Sequence, residues 1–284
     1  MAIRIPTITQ KQVAAFLKPR PRDSHKGMFG TAVVIGGASG MVGAALLSGR
    51  AALKLGAGCV HVGLLAEDAP VVDMVQPELM LHRAKDALHL PKPSALAIGC
   101  GLGTSITAQK LLHDALKLNA PLVLDADALN LIARHADLQD DLRARKVATV
   151  ITPHPAEAAR LLGMSTVEVQ AARTESARQL NEKLHCGIVL KGANSVCVTR
   201  DGKTWLNKTG NPGMSAPGMG DVLTGMIAAF IAQGLDADQA LLLAVHLHGA
   251  AGDALADKGI AVGMTAKEVT DWARRLLNQW LSKS

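Results

Sequence analysis

The sequence predicts an α/β protein whose central sheet is mostly parallel, covered by helices on both faces and bounded by an antiparallel edge. Two observations favour this fold class. Apolar runs of strand length alternate with helix-length segments along most of the chain, a pattern typical of parallel sheets joined by crossover helices. Near residue 200 an Asp201-Gly202 turn separates two short strand-like runs, which indicates a hairpin at one edge of the sheet.

The predicted strands are short apolar runs, most of which end at a glycine or a polar residue. A continuous apolar run of this length is consistent with a strand that is buried on both faces. In chain order, the predicted strands are residues 31–35, 59–64, 94–98, 121–124, 147–151, 188–190, 195–199 and a short strand at Trp205.

The predicted helices are longer and often bounded by helix-ending or helix-starting residues. Gly56 and Gly58 end the first helix, and Pro155 suits the first position of a later one. In chain order, the predicted helices are residues 44–55, 108–118, 155–162, 167–184, 222–233, 237–256 and 265–281. Because no repeat or linker interrupts the pattern, we predict one domain over residues 1–284, with residues 1–24 as an N-terminal extension carrying a helix.

The amino-acid composition argues against several classes of function. The 284 residues include three Phe, three Trp and no Tyr, which argues against stacking platforms for single-stranded nucleic acid. The net charge of +6 suits anionic small molecules, and the scattered Lys and Arg predict no nucleic-acid partner. The four cysteines form no C-x-x-C pair, so neither a disulfide nor a zinc site is expected. No signal sequence or membrane-length apolar run is visible, so we expect no membrane partner and a cytoplasmic protein.

Polar and glycine-rich segments follow several predicted strands. In parallel sheets, ligands bind beyond the carboxyl ends of the strands, so these segments are expected to meet in one crevice. They are residues 36–37, 99–103, 125–130, 152–157 and 191–195. The first continues as G-x-x-G-x-x-G over residues 37–43. It differs from the dinucleotide fingerprint, and no P-loop sequence occurs in the chain.

Residues 211–225 (N-P-G-M-S-A-P-G-M-G-D-V-L-T-G) are the strongest single signal. A glycine-rich loop runs directly into an apolar helix, and small residues there let backbone N–H groups face an anion. Asp221 lies in the first turn of that helix. It is either a favourable helix start or a base held beside a phosphate.

Three further strand-end groups have two interpretations each. Asp127 is either the N-cap of a helix, with Asp125 and Asn130 facing the cleft, or itself a cleft residue. His154 lies between two prolines and is either an exposed loop residue or a rigidly held ligand contact. Lys191 either meets a phosphate as a point charge or belongs to an exposed turn. His246 and His248 lie two residues apart, so on a helix they do not form a metal pair.

Together these segments resemble one family, the ADP/ATP-dependent NAD(P)H-hydrate dehydratases, which are carbohydrate-kinase-like proteins. The resemblance spans roughly residues 25–257. It rests on H-K-G-x-F-G-T (25–31), G-A-S-G-M-V-G-A-A (37–45), Q-P-E-L-M (76–80), I-G-x-G-L-G (98–103), L-D-A-D-A-L-N (124–130), T-P-H-P-x-E (152–157), L-K-G-A-N-S (190–195), N-x-T-G-N-P-G-M (207–214) and G-M-G-D-V-L-T-G (218–225).

The resemblance implies a ribokinase-like three-layer α/β/α sandwich and a repair activity. A hydroxyl on the hydrated nicotinamide ring of NADHX or NADPHX is phosphorylated by ADP or ATP, and phosphate then leaves to restore NAD(P)H. The absence of an epimerase-like segment favours a standalone bacterial type, hence ADP as co-substrate, a separate epimerase and AMP as a product. It also implies Mg²⁺, for which the sequence shows no protein ligands, and a homo-oligomer, by family a tetramer.

The resemblance also implies roles for individual residues. Asp221 is the catalytic base. The hydrated dinucleotide contacts Ala44, Gly101, His154 and Asp221, with Asn130 in the same cleft, and the adenine nucleotide contacts Lys191, Gly192, Ala193, Asn194, Ser195 and Gly220. The amides of Gly218, Met219 and Gly220 form an anion hole.

One position departs from the family pattern. Pro217 stands where such loops carry a small residue with an N–H group, so position 217 has lost one backbone donor. Two other functions stay open: a ribokinase-like kinase of the hydroxymethylpyrimidine or hydroxyethylthiazole type, and a nucleotide-binding module without catalysis.

Overall fold

The computed structural model describes residues 5–282. Their strands form one nine-stranded sheet, in the spatial order β3-β2-β1-β4-β5-β6-β7-β8-β9. The strands are β1 (Thr31–Gly36), β2 (Cys59–Leu64), β3 (Met80–Arg83), β4 (Ala95–Ile98), β5 (Leu122–Leu124), β6 (Thr149–Ile151), β7 (Gly187–Leu190), β8 (Ser195–Val198) and β9 (Thr204–Asn207). Every pair from β3 to β7 is parallel, and β7-β8 and β8-β9 are antiparallel. The predicted fold class is therefore confirmed.

Helices cover both faces of this sheet. They are α1 (Gln10–Ala14), α2 (Val42–Lys54), α3 (Ala84–Leu88), α4 (Ile106–Lys117), α5 (Asp127–Arg134), α6 (Ala136–Ala144), α7 (Pro155–Leu162), α8 (Thr166–Ala171), α9 (Arg173–Leu184), α10 (Met219–Ala232), α11 (Ala237–Ala256) and α12 (Ala266–Leu281). None of the helices in the described part of the chain is long and apolar enough to cross a membrane.

Two hydrophobic cores separate the layers. Along β1, Ala32 and Val34 join the core formed with α2, α10, α11 and α12. Val33 and Ile35 join the core formed with α3 to α7 and α9. Successive side chains of a strand point to opposite faces, so an apolar run such as T-A-V-V-I supplies both cores at once. This is the three-layer sandwich that the sequence predicts.

The strand order places a switch point between β1 and β4. The chain moves outward from β1 to β3 and then returns to the other side of β1 as β4. A crevice opens where two such connections diverge. The glycine segments that follow β1 and β4 meet there, since Gly37 N donates to Cys100 O (3.1 Å) and Ala38 N donates to Gly101 O (2.7 Å).

Helix α10 is packed tightly behind this crevice. It is buried along nearly its whole length, which matches its apolar sequence. A Cβ atom at Gly225 would lie 2.1 Å from Ser48 O of α2, so the two helices approach each other closely only because residue 225 has no side chain. This contact fixes the position of the N-terminal turn of α10.

Several predicted elements are corrected by the structure. The single helix predicted over residues 167–184 is wrong, because the chain breaks at Ala172 into α8 and α9. No glycine or proline marks the break, and Arg173 beside it donates to Leu190 O at 3.1 Å. Strand β3 and helices α3 and α6 were not predicted. β3 has no fully buried residue, so it lacks the apolar pattern of the inner strands.

The N-terminal segment contributes to the fold where it is described. Residues 1–4 lie outside the described part of the chain, and Thr9 caps α1 by accepting from Gln12 N. Thr7 bridges to Leu206 at the β9 edge, and Val13 is buried. Helix α1 thus lies within residues 1–24, and the division of the chain into an extension and a domain stays a prediction.

Candidate active site

The site is built around the first turn of α10. Gly218 is its N-cap, with φ at +86°, and a Cβ there would lie 2.6 Å from Leu47 Cδ1. The first intrahelical bond runs from Val222 N to Gly218 O. The amides of Met219, Gly220 and Asp221 therefore have no acceptor within the helix. Together with the helix dipole they form an anion-binding end.

This turn contains two of the three predicted anion-hole amides. The N–H groups that a straight helix leaves unpaired are those of residues 219–221, so the set is shifted by one residue from the predicted Gly218, Met219 and Gly220. Pro217 precedes the N-cap. Because residue 217 lies before the first turn, the absence of an N–H group on Pro217 does not reduce the number of free amides in that turn.

The carboxyl group of Asp221 lies in the same turn, on the side of the β4 loop. Burial raises the pKa of Asp221 to about 6, against the lowering effect of a hydrogen bond with the Cys100 side chain. The neighbouring carboxylate of Asp125 raises it further. Such a group is still mostly ionised at pH 7, and its proton affinity is closer to the working pH than that of an ordinary Asp, as general-base catalysis favours.

Two predicted substrate contacts lie together beside Asp221. A Cβ on Gly101 would be 3.1 Å from Ala44 Cβ, so these residues are in contact across the switch point. Gly101 follows Cys100, whose side chain bonds to Asp221. The structure therefore brings Ala44, Gly101 and Asp221 to one place, and their contact with a substrate stays a prediction.

The segment after β5 differs from the interpretation in which Asp127 caps a helix and Asp125 faces the cleft. Asp127 is not the N-cap of α5, because Ala126 occupies that position, and Asp127 Oδ2 instead accepts from Gly103 N (2.8 Å). Asp125 does not face an open cleft, since it is only 1% exposed. Asn130 is half-buried and accepts from Arg160 Nη1 (2.9 Å) through Oδ1.

Asp125 is the centre of a buried cluster that sequence reasoning missed. Its Oδ1 lies 2.6 Å from Lys191 Nζ, and its Oδ2 accepts from Thr224 Oγ1 at 3.0 Å. Lys191 Nζ is also 4.0 Å from Glu157 Oε2. Asp125 and Lys191 directly follow β5 and β7, and the other two residues lie on α10 and α7, so no pattern within one element could have revealed the cluster.

His154 is a helix cap as well as a predicted ligand contact. Its Nδ1 accepts from Ala156 N (3.1 Å) and Glu157 N (3.3 Å), while Glu157 Oε2 accepts from His154 N at 2.7 Å. Burial, and then Lys191, lower the pKa of His154. Its ring is 48% exposed, so it can still meet a ligand. Prolines on both sides predicted its rigidity, and its capping role was not foreseen.

The electrostatics of Glu157 are unusual. It is 4% exposed, and burial raises its pKa to about 7, although Lys191 opposes the shift. With Asp221, which interacts electrostatically with Asp125 and Lys191, three carboxyl groups surround the one lysine, and two of them, Glu157 and Asp221, have raised pKa values.

A cleft of about 480 Å³ opens on the other side of the α10 turn. Its walls include all six predicted nucleotide contacts: Lys191, Gly192, Ala193, Asn194, Ser195 and Gly220. The N-P-G-M segment forms another wall and is held by Asp253, which accepts from Gly210 N (2.9 Å) and Asn211 Nδ2 (3.1 Å). The volume falls within the range of small-molecule sites.

His248, which sequence reasoning set aside, also lines this cleft. Burial and then Lys191 lower its pKa to about 4, so the ring is neutral at physiological pH. His246 instead packs inside, where its Nδ1 lies 3.2 Å from Asn207 Oδ1. The two histidines thus face different sides of α11, as their spacing predicts.

The layered sheet, the glycine loops at its switch point and the anion-binding turn beside a carboxylate together define a ribokinase-like protein. A family model described as NAD(P)H-hydrate dehydratase, of the carbohydrate kinase type, matches residues 32–275. The chain belongs to this family.

Curated relatives agree with this assignment. The ADP-dependent (S)-NAD(P)H-hydrate dehydratase of Neisseria meningitidis is 40% identical, over 92% of this chain and 90% of the relative. The bifunctional NAD(P)H-hydrate repair enzyme Nnr of Escherichia coli is 38% identical over 97% of this chain. The chain spans about half the length of that bifunctional relative, 53%.

Solved structures show the same likeness. The ADP/ATP-dependent NAD(P)H-hydrate dehydratase of Bacillus subtilis, co-crystallised with ATP and Mg²⁺, superposes with a TM-score of 0.87 at 34% identity, covering 98% of this chain and 100% of that one. A hydroxyethylthiazole kinase from Pyrococcus horikoshii superposes at 0.66 with 16% identity, over 97% of this chain and 94% of that one. The second likeness shows the fold alone.

Proposed function

We propose that this protein is an ADP-dependent (S)-NAD(P)H-hydrate dehydratase that repairs NADHX and NADPHX. The observation that carries the proposal is the first turn of α10. It presents free amides to the cleft lined by Lys191 and Gly220, and it presents Asp221 to the loops of Ala44 and Gly101. A nucleotide on one side and a hydrated ring on the other would meet at this turn.

The chemistry follows from that arrangement. Asp221 accepts the proton of the ring hydroxyl while the hydroxyl oxygen attacks the terminal phosphoryl group of ADP. The bond to the departing AMP breaks, and the amides of residues 219–221 stabilise charge on the transferred group. The ring C–O bond then breaks with phosphate as leaving group. The adjacent ring carbon loses a proton, which restores the double bond of NAD(P)H.

Other residues bind and orient the two substrates. Lys191 neutralises phosphate charge, and the turn from Gly192 to Ser195 supplies backbone and hydroxyl donors to the adenine nucleotide. Ala44, Gly101, His154 and Asn130 shape the side that holds the hydrated dinucleotide. Since the amides proposed to stabilise the transferred phosphoryl group are those of residues 219–221, Pro217 removes none of them and is compatible with the reaction.

We propose that Mg²⁺ is carried by the nucleotide. Within residues 5–282 no group of three or more His, Cys, Asp or Glu side chains could hold a metal ion. This fits Mg²⁺, which keeps several waters and is commonly bound through substrate phosphates and one or two carboxylates. When bound, it would neutralise phosphate charge, while proton transfer and orientation belong to the protein.

The remaining predictions follow from the same function. Bifunctional relatives are consistent with pairing to an epimerase activity. ADP as donor is supported by two standalone relatives, the ADP-dependent dehydratases of Neisseria meningitidis and Bacillus subtilis. One domain over residues 1–284, a cytoplasmic location and a homotetramer stay predictions.

The test is direct. The protein is incubated with NADHX and either ADP or ATP, and the absorbance of the restored dihydronicotinamide is followed. We expect recovery that is faster with ADP. Absence of recovery with both nucleotides would refute the function. Phosphorylation of a hydroxymethylpyrimidine or hydroxyethylthiazole alcohol in parallel assays would favour the kinase alternative.

A further inference from the structure

Asp125 is too deeply buried to touch either substrate. Its exposed fraction is 1%, and both carboxylate oxygens are already bonded, Oδ1 to Lys191 Nζ and Oδ2 to Thr224 Oγ1. Thr224 lies one turn further along α10 than Gly220. The carboxylate therefore joins the end of β7 to the phosphate-binding helix. A group in this position can act on the reaction only through its partners.

The partner that matters is the Lys191 ammonium. A Cβ on Gly220 would lie 3.2 Å from Lys191 Nζ and 3.3 Å from Asp125 Oδ2. The ammonium therefore lies directly against the first turn of α10, where the free amides are. Both Lys191 and Gly220 also line the 480 Å³ cleft. Two sources of positive potential thus converge on one wall of that cleft.

The backbone next to Asp125 is strained. Ala126 has φ at +48° and ψ at −115°, a conformation that a residue with a Cβ adopts at a cost of about 1–3 kcal/mol. Ala126 lies between Asp125 and Asp127. The strained turn directs one carboxylate to Lys191 and the other to the Gly103 amide. Strained backbone conformations persist only where the surrounding contacts enforce them, and they cluster at functional sites.

We propose that Asp125 is the positioning residue for phosphoryl transfer. It holds the Lys191 ammonium against the first turn of α10, so that the ammonium and the amides of residues 219–221 bind the same phosphate of ADP. Thr224 fixes the carboxylate in return. This inference rests on the proposed function, because it assumes that Lys191 meets the nucleotide.

The proposal has a kinetic signature. A buried carboxylate near an anionic nucleotide opposes binding, so its loss leaves ADP affinity unchanged or slightly increased. The ammonium is then no longer held in the geometry that the transferred phosphoryl group requires. The cost therefore appears in kcat and not in affinity. If Asp125 were purely structural, its substitution would lower the melting temperature without a selective effect on kcat relative to ADP affinity.

The test is a double-mutant cycle between Asp125→Asn and Lys191→Met, measured by turnover of NADHX with ADP. We expect Asp125→Asn to lower kcat by about 100-fold, with the Kd for ADP within threefold of the wild-type value. In the Lys191→Met background, Asp125→Asn should change kcat less than threefold, because no ammonium remains to be held. A further 100-fold loss in the double variant overturns the proposal.

Asp73→Asn is the matched control. Asp73 is 3% exposed and pairs with Arg50 at 2.6 Å, away from the cleft, so its variant should lose stability and keep kcat. If Asp125→Asn alone fails to fold, Lys191→Met and the double variant still decide, since the double removes both charges of the buried pair.

A second measurement does not depend on turnover. The ³¹P chemical shift of the β-phosphate of bound ADP reports the position of the ammonium. We expect Asp125→Asn and Lys191→Met to shift it alike. A shift in Lys191→Met with none in Asp125→Asn overturns the inference, whereas a wild-type protein that binds ADP but restores no NADH refutes the proposed function alone.

Discussion

Two buried ion pairs of this protein differ in how completely their members are satisfied. Asp73 accepts from Arg50 through both of its oxygens, at 2.6 and 2.7 Å, and also from Val75 N at 3.0 Å. Asp125 accepts one bond from Lys191 and one from Thr224. An ammonium has three donors, and among the described residues Asp125 is the one acceptor within hydrogen-bond distance of Lys191 Nζ.

The difference separates a structural pair from a functional one. The pKa of Asp73 is lowered, chiefly by its hydrogen bonds with Arg50 and also by the bond from Val75 N. The ionised form of this pair is therefore the stable one. Around Lys191, burial raises the pKa of Glu157 to about 7 and that of Asp221 to about 6. Lys191 thus keeps donors without an acceptor among the described residues, and two neighbouring carboxyl groups have raised pKa values, a combination that is typical of binding and catalytic sites.

The largest effect is expected at Asp221. Asp221→Asn keeps the shape of the helix turn and removes the proton acceptor, so turnover of NADHX should fall by about 10³-fold while ADP still binds. Steady-state kinetics and calorimetric titration with ADP measure the two quantities. Asp73→Asn, with near-normal kcat, serves as the control. Near-wild-type turnover of Asp221→Asn would contradict the assignment of the base.

The pH dependence of kcat/KM should report the ionisation of the same residue, Asp221. Because a general base must be ionised, and the pKa of Asp221 is raised to about 6, the rate should decrease as the pH falls through 6, approaching tenfold per pH unit below it. Glu157→Gln should retain this acid limb. A limb that disappears in Glu157→Gln would instead assign the titration to Glu157.

Stability should depend on pH in opposite directions for the two sites. The pKa of Glu157 rises from 4.5 to about 7 on folding, so its stabilising contribution is complete below pH 4.5 and is lost as the pH rises through 7. Glu157→Gln should abolish this loss, about 3 kcal/mol between pH 4.5 and 8. The pKa of Asp73 is lowered, so its contribution is present above its unfolded pKa and is lost as the pH falls.

Urea unfolding at several pH values measures both slopes. Asp73→Asn should be less stable than the wild type at pH 7, with the difference decreasing in acid. Parallel slopes for the wild type and Glu157→Gln from pH 5 to 7 would show that Glu157 does not take up a proton on folding in that range.

A smaller effect is expected at the strained turn between the two carboxylates. Ala126→Gly removes a strain of about 1–3 kcal/mol and adds about 0.5–1 kcal/mol of unfolded-state entropy. The net result should be a gain of about 1 kcal/mol in unfolding free energy, measured by urea denaturation. Ala128→Gly, at the buried second residue of α5, should instead destabilise the protein. A loss in both variants would mean that residue 126 carries no strain.

Features that depend on local sequence periodicity could be predicted from the sequence, whereas features that depend on tertiary contacts could not. Alternating apolar runs were sufficient for the inner strands, both layers and the crevice, since each depends on local periodicity. Edge strand β3 and the break at Ala172 were missed because pairing with β2 and the contacts of Arg173 are tertiary.

The same limit applies within the site. The glycine loop and Asp221 are contiguous, and so they were visible as a motif. Asp125, Lys191 and Thr224 lie 33 to 99 residues apart in the chain, in three separate segments. Their bonds exist only once the sheet order is known. Burial of Asp125, and the raised pKa values of its neighbours, could not be inferred from spacing.

The smallest effect is expected at Pro217, the position that departs from the family pattern. Because Gly218 is the N-cap of α10, residue 217 lies outside the turn that supplies the free amides. Pro217→Ala restores an N–H group, but this group lies outside the turn that we propose binds phosphate. The Kd for ADP should therefore change less than twofold. Gly218→Ala, one residue on, should weaken ADP binding, because φ of +86° and the 2.6 Å approach to Leu47 Cδ1 exclude a side chain. If Pro217→Ala instead binds ADP tenfold more tightly, the anion hole extends beyond the helix turn to residue 217.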